Sequence, residues 1–130
     1  VVDAAFAQGL QVVIATQPVF PRSATLARLR WAGVGAEAYP YAIITSYEQV
    51  GVCKPHPLFF RTLLEQLELP AYECLMVGDN EQADMPARAL GMRTFLVNRE
   101  RRAVPPGVCD AHGSLADLAR LIDNGGIHAL

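Results

Sequence analysis

Three short, nearly unbroken apolar runs constrain this chain more than any other feature: Gln11 to Thr16, Cys74 to Val77 and Arg93 to Val97. Successive side chains on a strand point to opposite faces, so a strand without a polar face must be covered on both sides. Strands of that kind belong to parallel sheets with helices packed above and below. A fourth, shorter strand is expected at Tyr41 to Thr45.

Between the runs the apolar period changes to that of helices. Val1 to Gln8 reads as a helix stopped by Gly9, and Pro21 to Ala32 as a second, with Ala24, Leu26, Ala27, Leu29 and Trp31 on its core side and Gly33 and Gly35 closing it. Phe59, Leu63, Leu64 and Leu67 mark the clearest amphipathic helix, Leu58 to Leu69, which Pro70 ends. Asp84 to Leu90 is a helix stopped by Gly91, and Ser114 with Asp117 opens a last helix, Leu115 to Ile122, through a near capping box. Arg99 to Gly113 reads as loop around Pro105-Pro106-Gly107, and the tail from Asp123 to Leu130 is expected to fray. The fold class is therefore α/β, a Rossmann-like parallel sheet with helices on both faces. At 130 residues it forms a single domain, 1–130.

Hydrophobic residues make up 52% of the chain against 18% charged, so either the core is large for the length or some apolar surface expects a partner. A net charge of -2 and the lack of a basic face argue against nucleic acid. The one basic cluster, Arg99, Arg101 and Arg102 around Glu100, reads as a solvated loop, with a substrate-phosphate contact as the alternative. Cys53, Cys74 and Cys109 form no Cys-x-x-Cys pair, which suggests neither a disulfide framework nor a zinc site and points to reduced thiols in the cytoplasm. No apolar stretch approaches the roughly 20 residues of a membrane span, and the N-terminus lacks a signal-peptide pattern.

Ligands of such sheets bind beyond the carboxyl ends of the strands. There the chain places Thr16, then Thr45-Ser46 running on to Lys54, then Gly78-Asp79. Asp79 and Asp84, with four residues between them across a strand-to-helix turn, suit magnesium, which takes one or two carboxylates and keeps several waters. Their structural alternative is a helix cap and a surface charge. Lys54, stiffened by Pro55 and Pro57 around His56, can neutralise phosphate oxygens or stand as a solvated loop lysine; Thr16 can donate to a phosphoryl oxygen or satisfy local backbone. Glu81 reads as solvated. His56, His112 and His128 lack metal-ligand spacing, and packing accounts for Trp31, Phe59, Tyr39, Tyr41 and Tyr47.

Taken in order, Thr16, the segment Gly51-Val52-Cys53-Lys54-Pro55-His56-Pro57-Leu58-Phe59-Phe60 and the loop Val77-Gly78-Asp79-Asn80-Glu81-Gln82-Ala83-Asp84 resemble the haloacid dehalogenase superfamily of hydrolases, most closely its phosphoglycolate phosphatase-like branch. The resemblance implies a magnesium-dependent phosphatase for a small phosphorylated metabolite, working through an aspartyl-phosphate. In those terms Thr16 holds the transferred phosphoryl group, Lys54 steadies the nucleophile and phosphoryl charge, and Asp79 with Asp84 organises Mg2+.

The family's nucleophile motif, Asp-x-Asp-Gly-Thr, is not found, and neither is the cap that precedes the Thr16 strand in this branch. Asp3, followed by Ala4-Ala5-Phe6, reads as a surface helix residue, and the first Met is Met76. Gln17 stands where Asn is commoner. The resemblance thus covers a C-terminal part, with the central first strand missing and two buried strands left without a neighbour. The chain alone is expected to be inactive, and a second chain or a preceding segment is expected to complete the sheet. The competing expectation is a shortened, non-enzymatic protein of the same fold that binds phosphate, metal or a partner. A receiver-type domain would not explain Lys54 to Phe60, and the acidic pair favours phosphate chemistry over dehalogenation.

Overall fold

The computed structural model describes residues 1–130. Helix α1, Val2–Ala7, is capped by Gln8 and followed by Gly9, which turns the chain at a φ of +72° that a side chain would disfavour. Strand β1, Val13–Ile14, lies parallel to β2, Ile43–Ile44, and helix α2, Arg22–Trp31, connects them. Helix α3, Pro57–Leu67, starts on a proline that needs no amide partner, with His56 Nδ1 accepting the Leu58 N–H at 3.1 Å. It stops at Glu68, two residues before Pro70.

A 3-10 turn at Ala71–Glu73 leads into β3, Leu75–Gly78. The segment Met85–Leu90, expected as an α-helix, is a 3-10 helix; Pro86 in its first turn lacks an N–H, and Gly91 ends it. Strand β4, Arg93–Val97, pairs in parallel with β3, and β5, Ala111–Gly113, pairs in parallel with β4. Helix α4, Leu115–Asp123, opens with the expected capping box, Ser114 Oγ accepting the Asp117 N–H at 3.1 Å while Asp117 accepts the Ser114 N–H at 2.8 Å.

All strand pairs are parallel and helices lie on both faces, as the apolar runs require. The ladder is nonetheless split in two, β1-β2 and β3-β4-β5, with no pairing between β1 and β3. Side chains bridge that seam. On one face Phe95, Val97, Leu118, Ile122 and Ala5 form a cluster that takes in both Val12 and Leu75. On the other, Phe59, Phe60, Leu63, Met76 and Ala87 form a cluster that takes in Val13, Ala15 and Ile43.

Four expectations are corrected. The run from Gln11 to Thr16 yields only two strand residues, and these are half-buried rather than covered on both faces, because β1 has a hydrogen-bonded neighbour on one side only. Trp31, assigned to a core face, stands 82% exposed at the end of α2. The stretch read as loop up to Gly113 contains β5, held beside β4 by Asp110, whose carboxylate accepts both the N–H and the hydroxyl of Thr94 at 2.8 Å. The tail expected to fray forms a 3-10 turn at Gly126–Ala129, where Ile127 is buried and its carbonyl accepts Arg93 Nη1 at 3.3 Å. No helix is long and apolar enough to cross a membrane.

Candidate active site

The carboxyl ends of β1, β2 and β3 open on the same side, and the polar residues that follow them meet there. Thr45, fully buried after β2, places its hydroxyl 2.7 Å from the Thr16 carbonyl and 3.2 Å from the Thr16 hydroxyl. A hydroxyl has one proton. With the Thr45 proton on a carbonyl, Thr16 is the donor of the hydroxyl pair.

Lys54 lies between the β2 end and α3. Its side chain is 9% exposed, and its ammonium sits 2.5 Å from Asp84 Oδ1 and 5.8 Å from the centre of the Phe59 ring. This burial and pairing do not fit the alternative of a solvated loop lysine. Two buried opposite charges offset each other's desolvation only when close and further hydrogen-bonded. Asp84 meets both conditions, since its second oxygen accepts the Asn80 N–H at 3.2 Å.

The local sequence explains why Asp84 turns inward. Asn80 Oδ1 accepts the N–H groups of Gln82 and Ala83, each at 3.0 Å, and its carbonyl accepts the Asp84 N–H at 2.9 Å, closing the loop into a turn that an asparagine side chain favours. Gly78 makes room, because a Cβ there would fall on the Asp84 carboxylate. Asp84 is therefore not the surface charge of its structural alternative.

Asp79, directly after β3, is exposed and has no ion pair. With Glu81 it lines a cavity of about 450 Å³ bounded by Leu96, Asn98, Arg99 and Arg102. Two of the three arginines of the basic cluster, Arg99 and Arg102, thus line the cavity next to Asp79, and Arg102 is already paired with Glu100 at 3.1 Å.

No group of three or more His, Cys, Asp or Glu side chains converges anywhere. The donors present still fit a hard cation that needs only one or two carboxylates. Asp79 is unpaired, and an ionised carboxylate offers about four lone pairs, of which Asp84 uses two. Burial pushes the thiols of Cys74 and Cys109 above their ordinary value, which makes neither a ready nucleophile.

The sequence placed Thr45 at a strand end and marked Gln17 only as standing where Asn is commoner, and gave neither of them, nor Asn80, a structural role in the site. For Gln17 the available signal was a polar side chain directly after the strand-end hydroxyl. Its amide meets the main chain of Lys54 at 2.8 and 2.9 Å. Ser46, next to Thr45, has the only buried side-chain oxygen without a hydrogen-bond partner.

Comparisons with known proteins bear on the fold and the family. A family model for haloacid dehalogenase-like hydrolases matches residues 1–91. A phosphoserine phosphatase of Thermus thermophilus is 35% identical over 82 residues, 62% of this chain and 32% of that protein. A glyceraldehyde 3-phosphate phosphatase of Pyrococcus abyssi is 40% identical over 57 residues, 43% of this chain and 23% of that protein. Among solved structures, a phosphatase from Thermococcus onnurineus superposes with a TM-score of 0.76 at 22% identity, over 93% of this chain and 54% of that one. A magnesium-bound hydrolase, YfnB from Bacillus subtilis, gives 0.73 at 22% identity, over 92% and 53%. The chain thus spans about half the length of these structures and a third or less of the two curated relatives.

Proposed function

The chain belongs to the haloacid dehalogenase-like hydrolases, and on that premise we propose that it carries the Thr16, Lys54, Asp79 and Asp84 part of a magnesium-dependent phosphohydrolase site for small phosphorylated metabolites. The observation that carries this reading is the buried Lys54–Asp84 pair at 2.5 Å, set where three strand ends converge. A fixed ammonium in a site shielded from water stabilises charge on a transferring phosphoryl group, and it does so without reorganising at the moment of reaction. The Thr16 hydroxyl donates to a second phosphoryl oxygen. When bound, magnesium supplies positive charge to phosphate oxygens, and Asp79 and Asp84 would hold it. Both curated relatives named above are phosphatases, which supports phosphate esters as the substrate class. The three unpaired thiols are in keeping with a reducing cytoplasm.

None of these residues is the family's attacking aspartate. We assign it to a strand that pairs between β1 and β3, where each has a free edge, carried by a preceding segment or by a second chain. Such a strand would end beside Thr16 and Lys54. The test is complementation of the purified chain with an apolar peptide bearing Asp-x-Asp-Gly-Thr, using p-nitrophenyl phosphate and MgCl2. The chain alone is expected to show no turnover, and the peptide to restore one that is lost with Asp84→Asn or with Asn at the peptide's first Asp. Turnover by the chain alone, abolished by Asp79→Asn, would overturn the assignment of an external nucleophile. Phosphate binding that the peptide never converts to turnover would favour the non-enzymatic reading.

A further inference from the structure

The main chain of Lys54 is held by one side chain. Gln17 Nε2 donates to the Lys54 carbonyl at 2.9 Å, and the Lys54 N–H donates to Gln17 Oε1 at 2.8 Å. Neither backbone group has another partner. The carboxamide thus imitates a strand residue, offering one donor and one acceptor side by side as a ladder neighbour does. It does so across 37 positions of sequence, from the end of β1 to the loop before α3.

Lys54 is therefore gripped at both ends, by Gln17 at its backbone and by Asp84 at its ammonium. A lysine side chain is long and freely rotating, so its tip stays at a defined point only if both ends are fixed. Gln17 also directly follows Thr16. A displacement of β1 consequently moves the Thr16 hydroxyl and the Lys54 backbone together. We propose that Gln17 is a positioning residue of the site, which couples the phosphoryl-binding hydroxyl to the ammonium and sets the reach of Lys54 to Asp84. Its purpose rests on the phosphohydrolase reading; its effect on Lys54 does not. Chain length matters, because Asn, shorter by one methylene, cannot present both groups to Lys54 from the same Cα.

The experiment uses the 130-residue chain labelled with 15N and follows the Lys54 ammonium resonance, whose solvent exchange is slowed by the Asp84 pair. Gln17→Met, of similar length but without hydrogen-bonding groups, is expected to speed that exchange roughly ten-fold, and Gln17→Asn to fall in between, while amide signals beyond the site stay in place. Unchanged Lys54 exchange in Gln17→Met would overturn the proposal. So would a general loss of amide dispersion in both variants, which would make Gln17 a determinant of the whole fold. Titration with inorganic phosphate and MgCl2 separates the two readings. Weaker phosphate binding in Gln17→Met, by a similar factor, supports the coupling to the site. If the unaltered chain complemented with the Asp-x-Asp-Gly-Thr peptide binds no phosphate, the phosphohydrolase reading fails while the exchange result still decides the role of Gln17.

Discussion

Asp84 illustrates how much one carboxylate can be asked to hold. It receives the Lys54 ammonium on one oxygen and the Asn80 N–H on the other, and it is 4% exposed. Asp84→Ala leaves a buried ammonium without its counter-charge, and breaking such a pair costs about 3–5 kcal/mol. Urea unfolding is expected to show that loss, and Lys54→Met combined with Asp84→Ala is expected to recover much of it. Equal loss in the double variant would mean that the pair matters for its packing rather than its charge. Gly78→Ala acts on the same carboxylate from the backbone side, since the added methyl must push Asp84 away. Overpacking of this kind costs roughly 1–3 kcal/mol, read as a lower urea midpoint. Trp31→Gln, by contrast, should change stability by less than about 0.5 kcal/mol, because the ring touches so little.

Among the elements, α4 offers the cleanest pH signature. Asp117 accepts the Ser114 N–H and hydroxyl and pairs with Arg120, and these hold its carboxyl at about 2, against an ordinary 3.8. A depressed value means that the ionised form is favoured in the folded chain. Its contribution is complete above pH 3.8, falls as the unfolded chain takes up a proton between pH 3.8 and 2, and is gone below that. Thermal unfolding across pH 2 to 5 should show this slope, and Asp117→Asn should flatten it. Ser114→Ala, which removes the other half of the box, should cost about 0.5–2 kcal/mol at neutral pH. This capping box was legible from Ser114 and Asp117 alone, as were α3, β4 and the order of elements, because caps, prolines and apolar period are local signals. What was not legible depends on neighbours distant in sequence. β5 is three residues, Ala111, His112 and Gly113, with no strand character of their own; it exists because Asp110 is tied to Thr94 and Arg88. Burial would raise Asp110, but Arg88 and Thr94 reverse this and bring its carboxyl below the ordinary value. Thr16, Lys54, Asp79 and Asp84 could be named from spacing and resemblance. That Lys54 meets Asp84, that Asp79 stays exposed and unpaired and that Gln17 holds the loop required the fold.

For the whole molecule the apolar composition meets an open middle. Hydrophobic residues are 52% of the chain, yet only 23 of 130 residues are buried. Val77, on the strand that borders the seam, remains 36% exposed. Unpaired strand edges beside apolar surface invite pairing with another chain. Self-association of the isolated chain is therefore expected to rise with concentration in analytical ultracentrifugation, and the complementing peptide described above should suppress it. A monomer at all concentrations would argue that the seam is closed by side chains well enough to need no strand. The seam also bears on the order of events as the chain folds. Each ladder closes between strands close in sequence, β1 with β2 and β3 with β4 and β5, while the halves meet through side chains and through α1 against α4, where Gln8 reaches the Asp123 carbonyl at 3.4 Å. Local ladders form early and distant packing late. The line between β1 and β3 is thus expected to divide the molecule in time as well as in space: two modules should acquire their hydrogen bonds separately, and hydrogen exchange should find that what joins them last opens first.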